Sequence, residues 1–218
     1  MPACADPRME VALSGIAKSF GAEVIFREVT LTLASGSRTA ILGPNGSGKS
    51  TLLQTIAGAL APTSGTVTHR LRGKAHPPDE VYRMVSIAAP YLGLYEDLLL
   101  RQAIAFHAQF KPLRNGITPA MLARIAYLEP AWEKPVVHFS SGMKQRLKLA
   151  LAILSDTPLL LLDEPASNLD AEATAWFRAL LMEHLDGRTL VVASNRQPAE
   201  HDFCTDRLEI ADRTIRRA

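Results

Sequence analysis

The chain has 218 residues, of which 47% are hydrophobic and 21% charged, with a formal net charge of +2. That length suits one α/β domain with a modest added lobe, and the charge balance excludes nucleic-acid binding driven by bulk electrostatics. No apolar run reaches the roughly 18–20 residues needed to span a bilayer, and two cysteines, Cys4 and Cys204, are too few for a disulfide framework. Residues 1–8 read as a loose tail without the apolar stretch of a secretory leader, so reduced thiols in the cytoplasm are expected.

In chain order, Val11–Lys18 and Val24–Leu33 alternate apolar and polar residues and are bounded by Gly21 and Ser35-Gly36, which predicts two strands. Arg38–Leu42 is a short strand running into a glycine-rich loop, and a helical pattern follows from Lys49 to about Leu60. Ser64–Thr68 and Met84–Ala88 read as further strands. Leu98–Lys111 is helical, with Leu99, Ala103, Phe106 and Phe110 predicted on one face. Thr118, with Pro119 at the first helical position, starts a second helix to about Leu128, and Ser140 starts a third to about Leu154. Residues 90–155 therefore form a helical block without a strand of its own, inserted between two halves of a sheet domain. Leu159–Leu162 is a continuous aliphatic run, as a strand covered on both faces requires. A helix begins near Asp170, Thr189–Ser194 is another strand, and two short strands near Arg207–Ile210 and Arg213–Arg216 end the chain. The sum is a mostly parallel sheet with an antiparallel β portion and a helical arm.

Gly43-Pro44-Asn45-Gly46-Ser47-Gly48-Lys49-Ser50-Thr51 fits the P-loop pattern in full. Glycines let the backbone turn its N–H groups onto a phosphate, and the following helix adds the positive end of its dipole. Lys49 reaches the β and γ phosphates, and Ser50 offers its hydroxyl to Mg²⁺. About a hundred residues on, the aliphatic strand ends in Asp163 and Glu164. Asp163 suits a water-mediated hold on the metal, and Glu164 suits polarisation of an attacking water.

Between these segments lies Phe139-Ser140-Ser141-Gly142-Met143-Lys144-Gln145-Arg146, and after them Pro165-Ala166-Ser167-Asn168-Leu169-Asp170. With this ordered set the chain resembles the ATP-binding cassette family from about Val11 to Ile215. The resemblance implies a RecA-like P-loop fold, ATP and Mg²⁺ as ligands, and ATP hydrolysis coupled to a separate membrane permease. It also implies a homodimer or cassette heterodimer, peripheral on the inner face of the membrane, in which Ser140, Ser141, Gly142 and Asp170 of one copy close on the nucleotide of the other. The compact length is similar to exporter ATPases of the haem-export type. Phe20 matches the family's adenine-stacking aromatic, although edge-strand packing explains an aromatic there equally well. Ser141 and Met143 replace the usual glycine and glutamine of the signature. Asn195 stands where the family has a switch histidine; its amide can donate to a γ-phosphate oxygen but carries no charge. The Q-loop glutamine is replaced by Pro90 or Ala89, neither of which can orient water. These losses leave a second reading open, an ATP-gated switch with slow turnover.

Overall fold

In the computed structural model, residues 8–217 are described; Cys4 and most of the expected tail lie outside them. Strands β1 (Met9–Phe20), β2 (Glu23–Leu33), β4 (Ser64–Leu71) and β5 (Lys74–His76) form an antiparallel sheet in the order β2-β1-β4-β5. β5 is not among the strands expected from the sequence. Its turn is Arg72-Gly73, both at positive φ (54° and 76°), which closes a two-residue hairpin without the Asn-Gly signal such turns usually carry.

The second sheet has six strands. Its order is β10 (Thr214–Arg217), β9 (Asp206–Ala211), β3 (Arg38–Leu42), β8 (Thr189–Ser194), β7 (Leu159–Asp163) and β6 (Val85–Ala88). All neighbours pair in parallel except β9 and β10. The aliphatic run of β7 is buried throughout, and its side chains divide between two cores. Leu159 and Leu161 join Ile41, Val191 and Leu52 under the antiparallel sheet, whereas Leu160 and Leu162 join Leu190, Leu147 and Phe177 on the opposite face. Alternation along a strand with two covered faces produces that division.

Helix α1 (Lys49–Ile56) follows β3, and the short α2 (Pro78–Val81) precedes β6. Between β6 and its sheet neighbour β7 run α3 (Leu100–Phe110), α4 (Pro119–Ile125) and α5 (Ser141–Ile153); α6 (Ala171–Glu183) and the short α7 (Pro198–His201) flank β8. Three helix expectations need correction. α1 stops at Ile56, not Leu60, because Gly58 adopts φ +72° just beyond the cap and turns the chain. α4 stops at Ile125, not Leu128, where Tyr127 takes φ +55° ahead of a 3₁₀ turn at Glu129–Ala131. In α3 the buried residues are Leu100, Ala103 and Ile104, not the face of Leu99, Phe106 and Phe110. Phe110 is 54% exposed; Phe106 instead stacks edge-on between Phe110 and Tyr95, at centroid distances of 5.1 and 4.6 Å.

Candidate functional site

The glycine-rich loop leaves the carboxyl end of β3, where open α/β sheets place their ligands. Gly48, the residue before α1, has φ +98°, and a Cβ there would lie 2.7 Å from Ile25 Cγ2, so only glycine fits without displacement. No side chain caps α1, which leaves its first-turn N–H groups directed at whatever anion the loop encloses. The Lys49 ammonium is buried and donates to the carbonyls of Gly43 and Pro44, both at 3.0 Å. It is therefore held at the mouth of the loop.

The cleft beside the loop encloses about 390 Å³ and brings Lys49, Ser50 and Thr51 together with Asp163 and Glu164 from the end of β7. Asp163 is 1% exposed and neither of its oxygens has a hydrogen-bond partner. Burial pushes its carboxyl above the usual range, with the Ser50 hydroxyl and the Lys49 charge opposing and the Glu164 charge adding to the rise. An unpartnered buried carboxylate beside a hydroxyl fits a divalent cation. Among the described residues no cluster of three His, Cys, Asp or Glu could hold a metal alone, so such a cation would draw its other oxygens from phosphate and water. Glu164 has φ +45°, uncommon for a residue with a side chain, and its N–H donates to Ala193 O of β8 at 2.9 Å. That turn ends β7 and carries Glu164 onto the cleft wall.

The same wall contains Pro90 and Tyr91. The motif pattern points to Ala89 or Pro90 at this place and carries no signal for Tyr91, which lines the cleft with Asp163 and Glu164. Gln102 is used elsewhere: its Oε1 accepts from Leu99 N at 3.0 Å and caps α3. Phe20 is 51% exposed at the end of β1, outside the residues lining this cleft, with the Lys18 ammonium 5.0 Å from its ring centroid. Asn195 follows β8 directly, and its buried Oδ1 has no partner.

Ser140, Gly142 and Asp170 line a different cleft, together with Tyr127, Arg146 and Asn168. Ser140 caps α5 through Met143 N at 3.2 Å, and Asp170 caps α6 through Ala173 N at 2.7 Å. Ser141 is exposed at the first position of α5. Gln145 Nε2 donates to Pro165 O at 2.9 Å, fastening α5 to the segment after Glu164. Glu200 was missed as well. It is fully buried and accepts from Ser194 Oγ at 2.5 Å and Ala166 N at 3.0 Å, joining the end of β8 to the same segment. Burial raises its carboxyl, with those two hydrogen bonds opposing and the charges of Glu164 and Asp163 adding. No local sequence signal marks it, because its partners lie 6 and 34 positions away.

The ABC transporter family description matches residues 26–167. A cytochrome c biogenesis ATP-binding export protein of Rhizobium meliloti is 32% identical over 201 residues, covering 87% of this chain and 92% of that protein. A sulfate/thiosulfate import ATP-binding protein of Thermosynechococcus vestitus is 32% identical over 215 residues; the match spans 61% of that longer protein. Among solved structures, a dimeric ATP-binding cassette in a post-hydrolysis state, bound to ADP and Pi, superposes with a TM-score of 0.82. It is 23% identical, covering 95% of this chain and 97% of that one, and shares the fold.

Proposed function

This chain belongs to the ABC transporter family, and on that premise we propose that it is the ATP-hydrolysing subunit of a transporter, closing as a dimer on ATP to drive a separate permease. The observation that carries this is the division of anion-directed elements between two clefts. The loop of Lys49 opens onto one and the Ser140 end of α5 onto the other, so a second copy is needed to complete either.

In this reading the Gly43–Thr51 loop and Lys49 hold the β and γ phosphates, and Phe20 stacks on the adenine. Ser50 and Asp163 would hold Mg²⁺, which would neutralise charge building on the transferred phosphoryl group. Glu164 orients a water and takes its proton as the water oxygen bonds to the γ phosphorus. The bond from that phosphorus to the β–γ bridging oxygen breaks, releasing ADP and phosphate. Asn195 donates its amide to a γ oxygen, while Ser140, Ser141 and Gly142 of a second copy close on the same phosphate with Asp170 behind them. The relatives named for export and import share this cassette, so choice of cargo belongs to the permease. No helix among the described residues is long and apolar enough to cross a membrane, and the permease would hold the chain at the cytoplasmic face.

The uncharged Asn195 favours a second reading, an ATP-gated switch with slow turnover. Turnover and particle mass with Mg·ATP, for wild type and Glu164→Gln, separate the two. Hydrolysis by Glu164 predicts a fall of about 10²–10⁴-fold in turnover and accumulation of an ATP-bound dimer. Equal rates in both proteins discard the hydrolase; ATP-driven dimers with negligible wild-type turnover select the switch. Absence of nucleotide binding discards both.

A further inference from the structure

The segment after β6 departs from the family pattern, yet it is tied to both its own turn and α5. Leu92 N donates to Ala89 O at 3.2 Å, closing a turn around Tyr91. Lys148, on the α5 helix that opens with Ser140, extends its ammonium to the carbonyls of both Ala89 and Pro90 at 3.4 Å. Tyr91 is 42% exposed as a whole and lines the cleft with Ser50, Asp163 and Glu164.

We propose that Tyr91 is an outer-sphere positioning residue for the divalent cation, accepting a hydrogen bond at its phenolic oxygen from a cation-bound water, and that Lys148 sets its position from the signature helix. This deepens the nucleotide-site reading above and rests on it. A phenol both donates and accepts, so it can replace an amide as a partner for water while reaching further from the backbone. Burial and the nearby Asp163 carboxylate raise the phenol well above its ordinary value in the metal-free cleft, with a hydrogen bond to Gln54 opposing. A water on a divalent cation is acidified and needs an acceptor. Asp163 is confined to the floor of the cleft, and Tyr91 supplies a second acceptor on its wall. The Lys148 contacts then link the metal end of one cleft to the helix whose start lines the other.

The test is Mn²⁺ affinity, read by electron paramagnetic resonance, in the presence of a non-hydrolysable ATP analogue, with metal-free analogue affinity measured alongside. Tyr91→Phe keeps the ring and removes the hydroxyl; it should weaken Mn²⁺ binding about tenfold and leave metal-free affinity unchanged. Tyr91→Gln should recover at least half of that loss on a logarithmic scale. Lys148→Met should weaken Mn²⁺ binding by a smaller factor, between about two- and tenfold. Mn²⁺ affinity of Tyr91→Phe within twofold of wild type overturns the proposal, as does a metal-free affinity that falls in step. An unchanged Lys148→Met overturns the positioning by α5. A wild-type chain that binds no analogue overturns the nucleotide reading itself, which separates the two failures.

Discussion

Asp163→Asn should make the ligand-free protein more stable while removing its response to magnesium and nucleotide. The wild-type carboxylate is 1% exposed with both oxygens unpartnered, and leaving a buried polar group unsatisfied costs about 1–3 kcal/mol, more when it is charged. Relieving about 1–3 kcal/mol in a chain of this size raises Tm by about 2–12 °C. The pH dependence carries the same sign. Because burial raises the folded-state pKa, the folded protein binds that proton more tightly than the unfolded chain. Ligand-free stability therefore falls as pH rises from the ordinary carboxylate range through the raised value, and the Asn variant loses that slope. With a nucleotide–magnesium complex at a hundred times its Kd, wild type should gain about 2.7 kcal/mol. The variant should gain far less, since the neutral amide no longer attracts the cation. Differential scanning fluorimetry across pH, with and without Mg·ATP, measures all three effects. An Asn variant less stable than wild type without ligand, or one showing the full Mg·ATP shift, would refute the reasoning.

Three further perturbations test the framework around the site. Arg188 is fully buried, and its guanidinium donates to Ile153 O and Thr157 Oγ1 at 2.7 Å and to Ala152 O at 3.5 Å, tying the end of α5 to the start of β8. Arg188→Met leaves those acceptors unpaired and should lower stability by about 3 kcal/mol in urea unfolding. His107 bonds Ser155 Oγ at 2.8 Å; burial, then the Lys111 charge, lowers its pKa to about 4 against the Leu151 carbonyl. Stability should therefore fall as pH drops from about 6.5 toward 4, by at most about 3 kcal/mol, and His107→Gln should flatten that part of a Tm–pH curve. Glu200→Ala strands Ser194 Oγ and Ala166 N, and should slow ATP turnover more than it weakens nucleotide binding, because it loosens the segment after Glu164 rather than the phosphate loop; equal losses in both would count against this.

Local chemistry was readable from the residues alone. The phosphate loop and the caps at Thr118 and Ser140 involve partners at most a few positions away, and each cap is formed through a backbone N–H three residues on. The unbroken leucines of β7 announced two covered faces because strand geometry leaves no other solution in water. Tertiary structure alone decided which residues complete the site. Tyr91 lines one cleft with Asp163, 72 positions on, and Lys148 reaches back 59 positions to Ala89. Periodicity also misjudged α3, where the face that packs is selected by the neighbouring helices rather than by the largest aromatic rings. Hydrogen bonds within one turn depend on neighbours in sequence, whereas a buried polar partnership depends on which distant backbones the packed core brings within 3 Å of each other.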